Sequence, residues 1–163
     1  MPVVEIFHAI QHSSLATSFK QADFLFPAVE GTHIIAMSLS VGLILMLDLR
    51  LLRIGFQTEP VSRVMSQVMP WALPGFGIMF ATGIVLFLAQ AESAYTNSYF
   101  RVKILLLALL GLNAVLSQFK YYPHMAEWDN SENVPVGAKV VAAVSLIFWL
   151  GVIMCGRLMA YEL

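Results

Sequence analysis

The sequence predicts an all-α protein: a transmembrane four-helix bundle with an N-terminal amphipathic interfacial helix. Three observations carry that expectation. Only 12% of the 163 residues are charged and 59% are hydrophobic, whereas a soluble domain carries about 25% charged residues. Four apolar runs match or approach the roughly 20 residues that cross about 30 Å of hydrocarbon. Before them stands a segment whose polar and apolar residues segregate at helical spacing. Backbone groups in lipid must bond within their own segment, so helices are the expected form of the spans.

The elements follow in order. Residues 1–25 are expected to lie at the interface. In VVEIFHAIQH, Val3, Ile6 and Ile10 fall on one side of a helical wheel and Glu5, His8 and His12 on the other. Such a helix fits the membrane surface better than a fifth span, and Ser13 and Ser14 are placed to break it and start another. The first span is expected over about 28–52. The second covers 70–90 and is free of charge, with Pro70 and Pro74 in its first turns, where proline is best tolerated. The third, about 104–119, is short, but Lys103 and Lys120 bracket it and snorkel. The fourth, about 140–156, lies between Lys139 and Arg157. No repeat or flexible linker divides the chain, so 1–163 reads as one membrane domain. The N-terminus has no basic start followed by an apolar core and a small-residue cleavage site, so no removable signal peptide is expected.

Charge and cysteine usage exclude other classes. The net charge is −1, which offers nothing to nucleic acid, and the single Cys155 forms no disulfide within the chain. With four spans both termini share one side. The loops of the opposite side carry Arg50, Arg53, Arg63, Lys120 and Lys139, against Lys20, Arg101, Lys103 and Arg157. That bias places the termini outside, periplasmic if the membrane is a bacterial inner membrane.

The polar residues of the spans locate a site. At about 100° per residue, Glu30, His33, Met37, Ser40, Ile44 and Asp48 fall within about 80° of arc. A polar stripe of this kind faces protein, cofactor or water rather than lipid. Asp48 beside Arg50 suggests a local ion pair or positive-inside anchoring at a membrane end. Asn113, Ser117 and Lys120 form a stripe on the third span, consistent with interhelical hydrogen bonds. On the second, Gly77 and Ala81 form a small-xxx-small contact, with Gly75 and Gly83 nearby. Trp71, Tyr95, Tyr121, Tyr122 and Trp128 suit interfacial anchoring.

His33 carries two readings: an imidazole hydrogen-bonded to Glu30 or a neighbouring helix, or an axial ligand to haem b iron, with Arg101, Lys103 and Arg157 on the same side to meet propionates. His8 and His12, four residues apart, present two imidazoles on one helix face and with Glu5 form a candidate copper or zinc site. Either histidine is also a candidate second axial ligand to a haem held by His33. His124 is expected to be an exposed loop residue.

The run FPAVEGTHIIAMSLSVGLILMLDLRLLRIG, then PWALPGFGIMFATGIVLFLAQAESAYTNSYFRVKILLLALLGLNAVL, then AEWD and CGRLMAY, resembles a family of small uncharacterised bacterial membrane proteins of four helices. The resemblance runs from about Phe26 almost to the end. It implies the fold, a histidine at His33, and a second histidine late in the third span, where this chain has Gln118. A looser similarity extends to cytochrome b561-like and copper-resistance-type membrane proteins, at the level of fold.

The function expected is that of an integral membrane b-type haem protein in electron transfer, a membrane oxidoreductase if it is an enzyme. Its partners would be lipid, further copies of itself, and a redox partner or quinone. The alternative is a cofactor-free small subunit or assembly partner of a larger complex. Transport ranks last, because the second span offers only Thr82 as a polar side chain before Gln90.

Overall fold

The computed structural model describes residues 2–55, 58–129, 134–159 and 161. Those residues are helical without strands. The helices are α1 (Pro2–Gln11), α2 (Ser14–Gln21), α3 (Leu25–Leu51), α4 (Val61–Ala89), α5 (Ala91–Thr96), α6 (Ser98–Leu116), α7 (Met125–Trp128) and α8 (Val136–Met159), and π and 3₁₀ turns carry α6 on to His124. Four helical segments are long and apolar enough to cross a membrane: α3, α4, Ser98–His124 and α8. The protein is built as a multi-pass membrane protein.

Each span begins before its apolar run, and at α6 and α4 a polar side chain fixes the start. Asn97 accepts the Phe100 N–H at 3.1 Å and starts α6, which places Lys103 inside the helix instead of at its border. Ser13 caps α2 through the Ala16 N–H at 3.3 Å, as its position between two helical patterns suggests. The start of α4 is capped from a distance. Asp129, buried in the loop before α8, accepts the Ser62 main-chain N–H at 2.8 Å and the Ser62 hydroxyl. Pro70 and Pro74 are therefore interior to α4 rather than in its first turns. Neighbouring helices make interior proline tolerable in a membrane span.

In the bundle α3 packs along α4 and α8, and α8 along α6, while α4 and α6 do not pack along one another. The α4 face toward α3 and α8 is a stripe at spacings of three and four: Val61, Val64, Val68, Ala72, Gly75 and Met79, all buried. Gly77 and Ala81 lie on the opposite side and are exposed, so the expected small-residue contact forms through Gly75 instead. A turn of 200° separates positions 75 and 77 on an ideal helix, roughly the far side. A Cβ on Gly75 would fall onto the Ser40 hydroxyl of α3.

Two apolar clusters fill the interior. Leu47, Leu51, Val61, Val64, Met125, Trp128 and Ala138 form the one at the α3–α4 loop. Ala36, Met79, Leu110, Trp149 and Val152 form the other, where Phe76 stacks on Trp149 with centroids 5.6 Å apart. Trp128 is thus a core residue, not an interfacial anchor, clustered with Val61 and Val64 at the start of α4. Trp71 stays outside, 69% exposed, in keeping with an anchoring role. Large apolar side chains such as Ile35, Leu105 and Ile147 cover the outside, as expected where lipid is the solvent.

α1 docks on α5 and the end of α4. Phe7 stacks on Tyr95 at 4.7 Å and meets Phe87 edge-on at 5.9 Å, and Gln11 accepts the Glu92 N–H at 2.9 Å. The side chains of Val3 and Ile6 lie outside the described residues.

Two stability outcomes follow. Gly75→Ala destabilises by about 1–3 kcal/mol through overpacking, and Ser40→Gly in the same chain restores much of the loss. Thermal denaturation in detergent measures both. Asp129→Ala costs about 1–2 kcal/mol as a lost helix cap in the same assay, and Ser62→Ala costs less because the main-chain donor to Asp129 remains.

Candidate functional site

His33 enters the α3–α4 interface half-buried. Its Nδ1 lies 2.9 Å from the Met79 carbonyl oxygen and 3.0 Å from Thr82 Oγ1. A carbonyl only accepts, so Nδ1 carries the hydrogen. The Thr82 hydroxyl donates to the Ile78 carbonyl at 2.7 Å, which leaves its oxygen free to share the same N–H. Nε2 is then the unprotonated nitrogen, and no protein group among the described residues hydrogen-bonds it. The next residue on α4, Gly83, makes room for the ring: a Cβ there would come within 3.1 Å of His33 Cε1. Thr82 and Gly83 continue the inward α4 stripe beyond Met79, which is why this pair reaches His33.

Glu30 is exposed and does not bond His33. It sits one turn earlier on α3, and although α4 runs on to Ala89 its side chain stays exposed. The rest of the stripe does turn inward: Met37 and Ile44 are half-buried, and Ser40 and Asp48 are buried.

Of the three cations expected near His33, one faces inward. Lys103 is half-buried, with Nζ 3.3 Å from where a Cβ on Gly156 would stand. It lies within electrostatic reach of both His33 and Cys155. Arg101 is exposed and donates to the Thr96 carbonyl at 3.1 Å. Arg157 is exposed over the Tyr161 ring, 5.1 Å from its centroid, and donates to its hydroxyl oxygen. His33, Thr82, Lys103 and Cys155 therefore bring all four spans to one level of the bundle.

The other end holds Asp48. Its carboxylate accepts from Ser145 of α8, and Tyr122 is within electrostatic reach. The other carboxylate oxygen, Oδ2, and the Ser40 hydroxyl are buried without a hydrogen-bond partner among the described residues. Arg50 does not pair with Asp48: its Nε donates to the Glu59 carbonyl at 2.5 Å and ties down the loop. On α6, Asn113 donates to the Val141 carbonyl at 3.1 Å, the interhelical bond expected of it. Ser117 bonds back to the Asn113 carbonyl, and Lys120 points outward.

His8 and His12 stand side by side on α1, with ring centroids 4.3 Å apart. Their carboxylate neighbour is Glu92 of α5, not Glu5: one ligand atom from each of His8, His12 and Glu92 lies within 4.8 Å of the others. Glu5 is exposed outside that group. Neither histidine of α1 joins His33. Gln118 is exposed, and His124 is an exposed loop residue 3.2 Å from Glu127.

The sequence assigns no role to Met79, Glu92, Asp129 or Ser145, offers Gly83 only as a packing residue, and marks Thr82 only as a rare polar side chain. The Thr82–Gly83 pair was the available signal: a hydroxyl beside a missing side chain, seven and eight residues after Gly75 on the same helical face. Glu92 and Asp129 carried none, because their partners are remote in the chain.

No curated protein and no solved structure matches the chain, so the looser likeness to cytochrome b561 and copper-resistance proteins has no support from either comparison. Residues 21–162 match the model of DUF6644, described as a family of unknown function. The match takes in all four spans, the inward stripe of α3 and the His33 site, and the protein belongs to the DUF6644 family.

Proposed function

We propose that the protein is an integral membrane b-type haem protein that carries electrons, in which His33 Nε2 would hold the iron. The supporting observation is the His33 Nδ1–H bond to the Met79 carbonyl. Ligating histidines commonly donate the other ring N–H to a carbonyl or carboxylate, which sets the tautomer and aims the free nitrogen. Bound haem iron supplies a one-electron couple; the residues of this chain hold and orient it. Thr82 and Met79 fix the imidazole plane, Gly83 gives it room, and Lys103 is the inward cation suited to a propionate. Arg101 and Arg157, engaged with their own helix ends, contribute net positive charge at a distance. Phe87 of α4 stacks on Phe100 of α6 with centroids 5.2 Å apart, so α4 and α6 meet at the end of the bundle that carries Gly83 and Lys103.

The cation bias puts this end of the bundle on the periplasmic side of a bacterial inner membrane, with a quinone or a redox subunit as electron partner. The contending reading is a cofactor-free small subunit or assembly partner of a larger complex. The observation favouring it is that His33 already joins α3 to α4, as Asn113 joins α6 to α8.

Absorption spectroscopy separates the two. Protein purified from haem-replete cells is expected to show a Soret band that shifts on reduction, with a pyridine haemochrome of the b type. His33→Ala abolishes the band, and Gly83→Val and Lys103→Ala lower haem retention. A colourless preparation from such cells refutes the haem reading and leaves His33 as an interhelical hydrogen bond.

A further inference from the structure

The α1–α5 corner places three metal-ligating side chains together. His8 and His12 occupy one face of α1 at a spacing of four, and their rings lie side by side. Glu92 stands in the first turn of α5. The ligand atoms of the three lie within 4.8 Å of one another. Ligand atoms around a tetrahedral zinc with bonds of about 2.0–2.1 Å stand roughly 3.3 Å apart. Closure therefore asks for a shift of about 1.5 Å at most, which rotation of two exposed imidazoles supplies.

The corner is held in register by contacts that do not involve the ligand atoms. Phe7 stacks on Tyr95 and meets Phe87, and Gln11, between the two histidines on α1, accepts the Glu92 main-chain N–H. An open recess lined by Gln11, His12, Thr17, Lys20 and Gln21 borders the site, so solvent reaches it. Two imidazoles and one carboxylate are a borderline ligand set, suited to Zn²⁺ or Cu²⁺ rather than to Ca²⁺ or Mg²⁺.

We propose that His8, His12 and Glu92 bind a divalent transition metal ion, Zn²⁺ or Cu²⁺, at the end of the bundle, with a coordination position left for water or an exogenous ligand. The ion ties α1 to the α4–α5 corner. Glu92 lies inside the family match, and His8 and His12 lie outside it. The site is independent of the haem reading.

The test uses the full-length protein in detergent, without a polyhistidine tag and stripped with chelator, titrated calorimetrically with Zn²⁺. About one equivalent is expected to bind, with a rise in thermal midpoint. His8→Ala with His12→Ala abolishes both effects. Glu92→Gln weakens binding about tenfold or more, and Glu5→Gln leaves it unchanged. Cu²⁺ in place of Zn²⁺ gives an electron paramagnetic resonance spectrum with hyperfine coupling from two nitrogens. His33→Ala leaves Zn²⁺ binding intact, so the failure of one reading does not decide the other. Absence of binding, wild-type affinity in Glu92→Gln, or equal losses in Glu5→Gln and Glu92→Gln overturns the proposal.

Discussion

The close approach of α3 to α4 is the constraint on which the rest of the molecule depends. Ser40 lies where a Gly75 side chain would otherwise stand, and His33 lies beside Gly83. Between these points the Met79 carbonyl receives the imidazole N–H. Lipid tails are as apolar as leucine, so helices in a membrane gain little from burying apolar surface against one another. Fit and hydrogen bonding must do that work instead. The glycines admit the contact, and the histidine gives it direction.

The same logic extends across the bundle. Asn113 reaches the Val141 carbonyl on α8, and Ser145 of α8 reaches Asp48 on α3. Each span is thereby joined to a neighbour by at least one polar side chain. The Phe76–Trp149 stack ties the two halves near the middle. At the loop end, Asp129 caps α4 and Arg50 holds the Glu59 carbonyl, so the connection between α3 and α4 is anchored by buried charged groups. A buried cap of this kind satisfies helix-end donors that would otherwise be left without partners.

The stripe from His33 to Asp48 was legible in the sequence because it is a property of one helix: a fixed angle per residue puts those side chains on one face, and the energetics of polar groups in lipid turn that face inward. The exposure of Glu30 was not legible, since it depends on how α3 is rotated against its neighbours. The α4 contact face was equally hidden. Gly77–Ala81 and Gly75–Met79–Gly83 are comparable stripes in the sequence, and only the rotation of α4 about its axis selects the second. The candidate metal group divides in the same way. His8 and His12 come from local spacing, whereas Glu92 replaces Glu5 because Phe7 docks on Tyr95 and Phe87.

By itself the sequence determined the solvent, the number of spans, their helical form and the inward face of α3, because each follows from short-range periodicity and the cost of polar groups in hydrocarbon. Tertiary structure decided which groups meet. The Met79 carbonyl rather than Glu30 holds His33, Lys103 alone of three cations turns inward, and Trp128 is buried with the start of α4. Partner choice depends on the relative rotation and offset of helices distant in the chain, and those quantities are set by packing among all of them at once.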